Sequence, residues 1–156
     1  MVVSKGGQGR FDFSKAEKVI VKIPEKGHVY EIRSGKYLGF TDTFEMRILP
    51  AWSMFYAVLP RPVKQVTLKA PAAAAPGSKA VFDFAVEGTV GPQVFHFALY
   101  GPDGKELEHC ARNFSVPAGK GRHTVFFPFN APRGVWRAEV THVVSGKKAS
   151  VKVAVK

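Results

Sequence analysis

The densest group of reactive side chains in the sequence lies in the segment YGPDGKELEHC, residues 100–110. It holds two glutamates, Glu106 and Glu108, followed by His109 and the only cysteine of the chain, Cys110. Glycosidases use two carboxylates that face each other across a cleft, about 5–10 Å apart. Residues two apart on a strand share a face at roughly 7 Å, but both point the same way. We therefore expect two solvated glutamates beside a turn, and no catalytic pair.

A lone cysteine could act as a nucleophile only with a base beside it. His109 is next to Cys110 in the sequence, and neighbours on a strand point to opposite faces. One cysteine also excludes an internal disulfide and a zinc site built from several thiolates. We expect Cys110 to be a small, partly buried packing residue.

The five histidines are scattered, and no two have the close spacing that places both on one metal ion. A metal site would need His96, His109 and His123 to meet from different strands, and exposed or strand-face histidines, His96 above all, are the better interpretation. There is no Ser-His-Asp pattern, and the glycines of SKGGQG follow no strand and open no helix. We expect no catalytic residue, no metal and no cofactor, and we expect that the chain is not an enzyme.

Aromatic side chains beside cations offer a different chemistry, because a flat apolar ring can stack on a sugar ring. Four aromatic residues lie near predicted loops of the first half of the chain and are the candidate carbohydrate contacts: Tyr37, Phe40, Trp52 and Tyr56. The alternative is that these rings close one end of a small core. Coplanar, exposed rings of Trp52 and Tyr56 would favour sugar binding, and buried rings would exclude it.

The net charge of +11 is dispersed along the chain. Ten lysines and arginines lie in residues 1–62 and thirteen in residues 63–156. There is no basic tail and no RNP-like aromatic motif, so we expect no specific nucleic-acid partner. A dispersed positive field favours polyanions weakly, and acidic polysaccharide or an anionic surface would satisfy it.

Almost the whole chain has the period-two hydrophobic pattern of β-strands. The second half has strands at close to the 8–12-residue spacing typical of a sandwich, each with one apolar face. Two prolines around Arg61 form a short stiff linker. The predicted fold is all-β, with two tandem antiparallel β domains: residues 1–62, a small domain whose completeness stays open, and residues 63–156, an immunoglobulin-like seven-stranded sandwich. The predicted strands are 18–23, 28–33, 43–49 and 53–59, then 63–70, 79–88, 93–100, 105–116, 122–130, 134–144 and 147–156.

Two finer predictions follow from the same pattern. Residues 100–110 should form a hairpin that joins the two sheets of the sandwich. Phe129 should face the core with Val125 and Phe127, and because Pro128 cannot donate to a strand ladder, this strand should lie at a sheet edge.

Two stretches resemble parts of large bacterial secreted proteins of the glycoside hydrolase, beta-galactosidase-like type. HVYEIRSGKYLGFTDTFEMRILPAWSMFYAVLP, residues 28–60, is similar to a late segment in which strands around a Ser/Thr-Gly-Lys-Tyr turn close an all-β domain. FFPFNAPRGVWRAEVTHVVSGKKASVKVAV, residues 126–155, resembles the immunoglobulin-like or macroglobulin-like modules appended to such proteins. There the stretch Pro132 to Val140 would be the penultimate strand.

The resemblance covers residues 28–156 and implies a non-catalytic accessory or spacer module of a larger secreted carbohydrate-active or cell-surface protein. Its partners would be the rest of the parent chain or neighbouring domains, outside the cell or at its surface. The first ten residues contain no apolar signal core, so an export signal would lie on a longer chain.

No apolar run approaches the roughly 20 residues of a membrane span, so we expect that the chain does not span a membrane. Two alternatives stay open. One is a carbohydrate-binding module that uses the four aromatic residues of the first domain. The other is a self-assembling filament or surface-layer subunit whose oligomers form through β edges.

Overall fold

The computed structural model of the chain describes residues 2–3, 16–49 and 52–156. The chain divides into two compact units, Met1–Pro62 and Val63–Lys156. Strands make up the regular structure of both units, and in the described ranges the one helical element is the short 3-10 helix Glu108–Cys110. None of the described residues forms a helix long and apolar enough to cross a bilayer. The fold is therefore all-β.

The described residues of the first unit form a four-stranded antiparallel sheet with the strand order β1-β4-β2-β3. Apolar residues at alternate positions of β2 and β3 point to one face and form its buried core, with Val21 and Val29 packed beside Phe44 and Met46. The strands are β1 (Val2–Val3), β2 (Glu17–Glu31), β3 (Lys36–Ile48) and β4 (Met54–Leu59).

Strand β2 is continuous, although Pro24 and Gly27 predicted a break between two shorter strands. The break is replaced by a register shift against β3 between Lys22 and Gly27. An irregular position tolerates a proline, because no ladder hydrogen bond is required from it. Gly27 serves close packing, because a Cβ at this position would collide with the side chain of Val58 on β4. The long strand can therefore pair with both of its neighbours.

The second unit is a sandwich of two sheets. One sheet has three strands in the order β10-β7-β5, and the other has five in the order β6-β12-β11-β8-β9. All strand pairs are antiparallel except the parallel pair of β6 and β12. The strands are β5 (Val66–Lys69), β6 (Ala73–Ala74), β7 (Lys79–Val86), β8 (Gln93–Tyr100), β9 (Arg112–Val116), β10 (Lys120–Phe126), β11 (Gly134–His142) and β12 (Lys148–Val155).

This arrangement is an immunoglobulin-like β-sandwich. It has eight strands and not seven, because the two-residue β6 pairs with β12 inside a stretch, residues 70–77, whose prolines predict a loop.

Aromatic side chains fill the space between the two sheets. Phe82 of β7 meets Phe97 of β8 with ring centroids 5.2 Å apart, and Phe84 of β7 meets Phe95 of β8 at 5.0 Å. Further along, the ring of Phe127 packs edge-on against Trp136 of β11 at 5.2 Å. Such edge-to-face and tilted pairs are favourable beyond the area that they bury. The aromatic residues that recur at every second position of the sequence thus form ring pairs, and these pairs hold the two sheets together.

The segment 100–110 does not join the two sheets, contrary to the prediction. The strands on either side of it, β8 and β9, are antiparallel neighbours in the five-stranded sheet. The chain turns at Gly101–Gly104, where the Gly104 amide donates to the Gly101 carbonyl over 3.0 Å. The crossing between sheets comes later, in the short connection from β9 to β10. Because the strands of both sheets have the same local periodicity, the sequence pattern does not show which turn crosses from one sheet to the other. That depends on pairing between strands that are distant in the sequence.

Strand β10 lies at a sheet edge, but it ends at Phe126, before Pro128. Phe127 still points into the core and is fully buried. Phe129, predicted to lie in the core, is 84% exposed. Its ring lies over Gly77, where an added Cβ would collide with it. The proline ends the alternation, so residues beyond it no longer follow the inward and outward pattern.

Trp136→Ala should lower the free energy of unfolding by about 3–5 kcal/mol. The indole is buried, contacts Phe127, and donates from Nε1 to the Pro132 carbonyl over 2.9 Å. Urea unfolding of the purified chain measures the loss. Val135→Ala is the matched control on the opposite face of the same strand, and it should cost under about 1 kcal/mol because Val135 is 55% exposed. Equal losses for the two variants would contradict the assignment of the core face.

Candidate functional site

An exposed aromatic surface covers one face of the first unit. Tyr37, Phe40, Trp52 and Phe55 are 46%, 59%, 51% and 39% exposed. We call these four rings, together with the adjoining His28 and Arg33, the aromatic face. Exposed rings that lie close together are more informative than single exposed apolar residues, because contiguous apolar patches mark interaction sites.

Pairing between β2 and β3 builds one end of the aromatic face. His28 lies opposite Phe40 in the register, and their ring centroids are 4.9 Å apart. The His28 ring is nearly parallel to that of Tyr37, at 5.9 Å, and its Nδ1 lies 2.7 Å from the Tyr37 hydroxyl. Tyr37 in turn packs on the buried Tyr30 at 5.0 Å. The hydrogen bond and the ring contacts hold these side chains in fixed orientations.

Arg33 builds the other end. Its guanidinium carbon lies 5.2 Å from the centroid of the Trp52 ring and 5.6 Å from that of Phe55, both within the range of cation–π contacts. Nε donates to the Ser53 carbonyl over 3.1 Å, which fixes the plane of the group. The exposed guanidinium can therefore donate further hydrogen bonds outward.

The two ends share a face of the sheet. Leu59 of β4 pairs with His28, and Phe55 lies four residues before it with the same orientation. Four residues of strand span roughly 13 Å. The aromatic face is thus an extended strip and not a single ring contact.

The structure separates the four predicted carbohydrate contacts. Tyr37, Phe40 and Trp52 belong to the aromatic face. Tyr56 does not: its ring packs on Phe44 at 4.9 Å and joins the core on the opposite side of β4. Burial raises the pKa of Tyr56, and the charge of Glu31 adds to the effect. Trp52 and Tyr56 therefore do not form a common platform, whereas Phe55 and Arg33 extend the face without having been predicted.

The acids and histidines singled out in the sequence do not converge. Glu106 and Glu108 are exposed, and Glu108 lies in the 3-10 helix and not on a strand. His96 is half-buried and not exposed as predicted, with its Nδ1 2.9 Å from Asn113 Oδ1. His109 and His123 approach one cleft without His96. In the described part of the chain, no three metal-ligating side chains are grouped to hold an ion.

A buried polar network that the sequence did not reveal lies at one end of the sandwich. His142, the last residue of β11, is fully buried. Its Nε2 lies 2.9 Å from Gln93 Oε1 at the start of β8, and its Nδ1 lies 2.9 Å from Ser145 Oγ in the turn before β12. These contacts pin the β11–β12 turn to β8.

The partners fix the form of the imidazole. Gln93 Nε2 donates to the Val90 carbonyl over 3.0 Å, so its Oε1 is the atom that faces His142 and accepts from Nε2–H. Nδ1 is then the acceptor for the Ser145 hydroxyl and the Ser145 amide. A neutral imidazole satisfies every contact, whereas protonation of Nδ1 would place its N–H against the amide N–H of Ser145. Burial lowers the pKa of His142 to about 4.

Spacing could not have shown this network, because its members lie at 93, 142 and 145. The sequence offers one signal of this network. His142 continues the inward-facing series Trp136, Ala138 and Val140, which predicts a buried histidine. The buried Ser145 hydroxyl gives the network a structural role, because a substrate cannot reach it.

Comparisons with known proteins find matches among solved structures. No protein-family model and no curated protein matches the chain. The CARDB domain of a Pyrococcus furiosus protein, solved with di-metal ions, is 17% identical and has a TM-score of 0.42, over 62% of this chain and 89% of that one. The PKD domain of an M14-like peptidase from a Thermoplasmatales archaeon is 14% identical with a TM-score of 0.37, over 60% and 95%.

A beta-glucosidase from Listeria innocua is 12% identical with a TM-score of 0.40, over 70% of this chain and 18% of that one. Likenesses at these values of identity and TM-score carry no argument about ligand or activity.

Acidification should destabilise the protein through His142. The unfolded chain takes up this proton near the ordinary pKa of 6.5, and the folded chain only near 4. The stabilisation is complete above pH 6.5 and is lost as the pH falls toward 4, which amounts to roughly 3 kcal/mol. Urea unfolding at pH 7.5 and pH 4.5 measures it.

His142→Gln is the control for this pH dependence, because its side chain does not titrate. The variant should be less stable than the wild type at pH 7.5 and should lose less stability on acidification. Equal pH sensitivity in both proteins would show that His142 is not held neutral in the fold.

Proposed function

We propose that the chain is a non-catalytic accessory module of a larger secreted carbohydrate-active or cell-surface protein, and that its first unit contacts glycans through the aromatic face. The immunoglobulin-like unit would act as a rigid spacer. Its partners would be the remainder of the parent chain or neighbouring domains, at the cell surface or outside the cell.

One observation carries the glycan-binding part: three of the four candidate aromatic residues are exposed on one sheet face. Sugar rings present flat apolar patches, and exposed aromatic rings on a rigid scaffold suit them at low entropic cost. The ring contacts around His28 and the Arg33 stack hold the side chains in place before binding, which lowers the cost of ordering them.

The charge of the protein favours acidic over neutral glycans. The net charge of +11 supplies a long-range field, and Arg33 places a planar cation between two rings of the face. Guanidinium groups bind carboxylates and sulfates through two parallel hydrogen bonds.

Trp52→Ala and Phe40→Ala should each weaken binding of the chain to polysaccharide by about fivefold or more, because each removes a ring from the face. Affinity electrophoresis through gels containing polygalacturonate or its methyl-esterified form measures this, and calorimetry confirms it. The esterified polymer keeps the backbone and removes the charge, so weaker retention in its gel would support the acidic preference.

Phe129→Ala is the matched control, because this ring is 84% exposed in the second unit and outside the aromatic face. It should leave polysaccharide binding unchanged. Indifference of the wild-type chain to every polysaccharide in a wide panel would remove the glycan-binding role and leave the spacer role.

A second candidate function, self-assembly through β edges, is favoured by the edge strands of the sandwich. β9 and β10 each lie at the outer edge of their sheets, and within the described residues neither has a partner on its outer side. Phe126, near the end of β10, is 49% exposed. Unpaired edges can accept a strand from another chain.

Light scattering coupled to size-exclusion chromatography tests this second function. Edge pairing predicts a mass above the monomer that rises with protein concentration and returns to the monomer in Phe126→Lys, because charge on an edge opposes pairing. A monomer at all concentrations would exclude it.

A further inference from the structure

A cleft of about 280 Å³ opens in the second unit, on the side of the sandwich where β9 and β10 form the two sheet edges. One wall is the 3-10 helix and the start of β9, and the other is the second half of β10. The lining residues are His109, Cys110, Ala111 and Arg112 on the first wall and His123, Thr124, Val125 and Phe126 on the second.

The polar groups that line the cleft include a cation and no acid. These groups are a guanidinium, two imidazoles, a hydroxyl and a thiol, and none of the eight residues carries a carboxylate. Within the described ranges Arg112 forms no ion pair, whereas Arg122 and Arg137 are paired with Asp83 and Glu139. A cleft that concentrates hydrogen-bond donors around an unpaired cation attracts anions.

His123 is held rigidly on the second wall. Its ring lies 4.9 Å from those of Phe97 and Phe114, edge-on to the first. No side-chain hydrogen bond to His123 is formed in the described part of the chain, and no fully buried side-chain polar atom there lacks a partner, so its ring nitrogens retain some solvent access. Burial, with the nearby charge of Arg112, lowers the pKa of His123 and keeps it neutral at pH 7.

The remaining lining is apolar or uncharged. Phe126, half exposed, and Val125 and Ala111 offer apolar contacts. Burial raises the pKa of the Cys110 thiol, which is therefore protonated at neutral pH. The cleft thus combines the permanent positive charge of Arg112 with a small apolar surface. This composition suits a small organic anion.

We propose that this cleft binds a small organic anion, with its carboxylate or phosphate on Arg112 and its apolar part against Phe126. His123 and Thr124 would donate to the same acid group or to a second polar substituent. The site lies in the second unit and is independent of the proposed glycan contact on the first.

Titration of the isotope-labelled chain with benzoate, phenyl phosphate and benzamide, followed by NMR, tests the proposal. Benzoate or phenyl phosphate should shift the resonances of His109, Arg112, His123 and Thr124, and benzamide, which keeps the ring without the charge, should not. The stronger of the two anions identifies the acid group, and inorganic phosphate alone shows whether the ring contributes.

Arg112→Gln should weaken binding of the anion by about tenfold or more, since it removes a charge-assisted pair of hydrogen bonds. Arg133→Gln is the matched control: it removes the same charge from an exposed position outside the cleft and should leave binding unchanged. The NMR spectrum of each variant shows whether it is folded.

Alkylation of Cys110 by neutral iodoacetamide gives a second readout, because a bound anion should cover the thiol. Benzoate should slow the reaction in the wild type and in Arg133→Gln, but not in Arg112→Gln. Binding of benzamide as tight as that of benzoate, binding that survives the loss of Arg112, or no binding of any of the probes would each overturn the proposal.

Discussion

Contact between aromatic rings across the two sheets is the interaction on which the second unit depends. Phe82 and Phe84 on β7 meet Phe97 and Phe95 on β8, so each inward position of one strand is matched by an inward position of the other. A slip of one residue in either strand would turn every ring to the solvent. The register of the sheets is therefore set by burial of these rings, which is also the main source of stability.

The same constraint limits where polar chemistry can occur. A polar group between the sheets is tolerated only when all of its hydrogen bonds are made, and His142 meets that condition through Gln93 and Ser145. This network sits at the end of the aromatic rows and locks a turn, and it leaves no unsatisfied atom for a ligand. Polar side chains that are accessible to other molecules consequently lie at the surface, as Arg112 does on the open side of the sandwich and Arg33 on the aromatic face.

Much of the architecture could be predicted from the sequence, because an exposed and a buried face at alternating positions is a local signal. Strands β7 and β11 follow this alternation throughout, and in β8 only Ala98 departs from it, because it is buried at an outward position. Three features needed information from a distance. The turn at 101–104 joins neighbours in one sheet, since pairing with β8 and not local pattern places β9. Phe129 left the core because Pro128 ended the alternation. Tyr56 joined the core because β4 packs its ring on Phe44.

The sites were harder to predict than the fold for a related reason. Arg33 stands apart from Trp52 and Phe55 in the sequence, and only the chain reversals at either end of β3 bring the three together. The neighbouring Glu31 could have neutralised Arg33, but its carboxylate accepts hydrogen bonds from the backbone amides of Arg33 and Ser34, each over 2.9 Å, and from the Ser34 hydroxyl.

The acid is therefore used to hold the turn, and the guanidinium stays available on the aromatic face. In the second unit Arg112 forms no ion pair with any described residue, and the residues that line its cleft include no carboxylate. Within the net charge of +11, an anion bound at either place would gain a paired guanidinium without displacing an ion pair among the described residues.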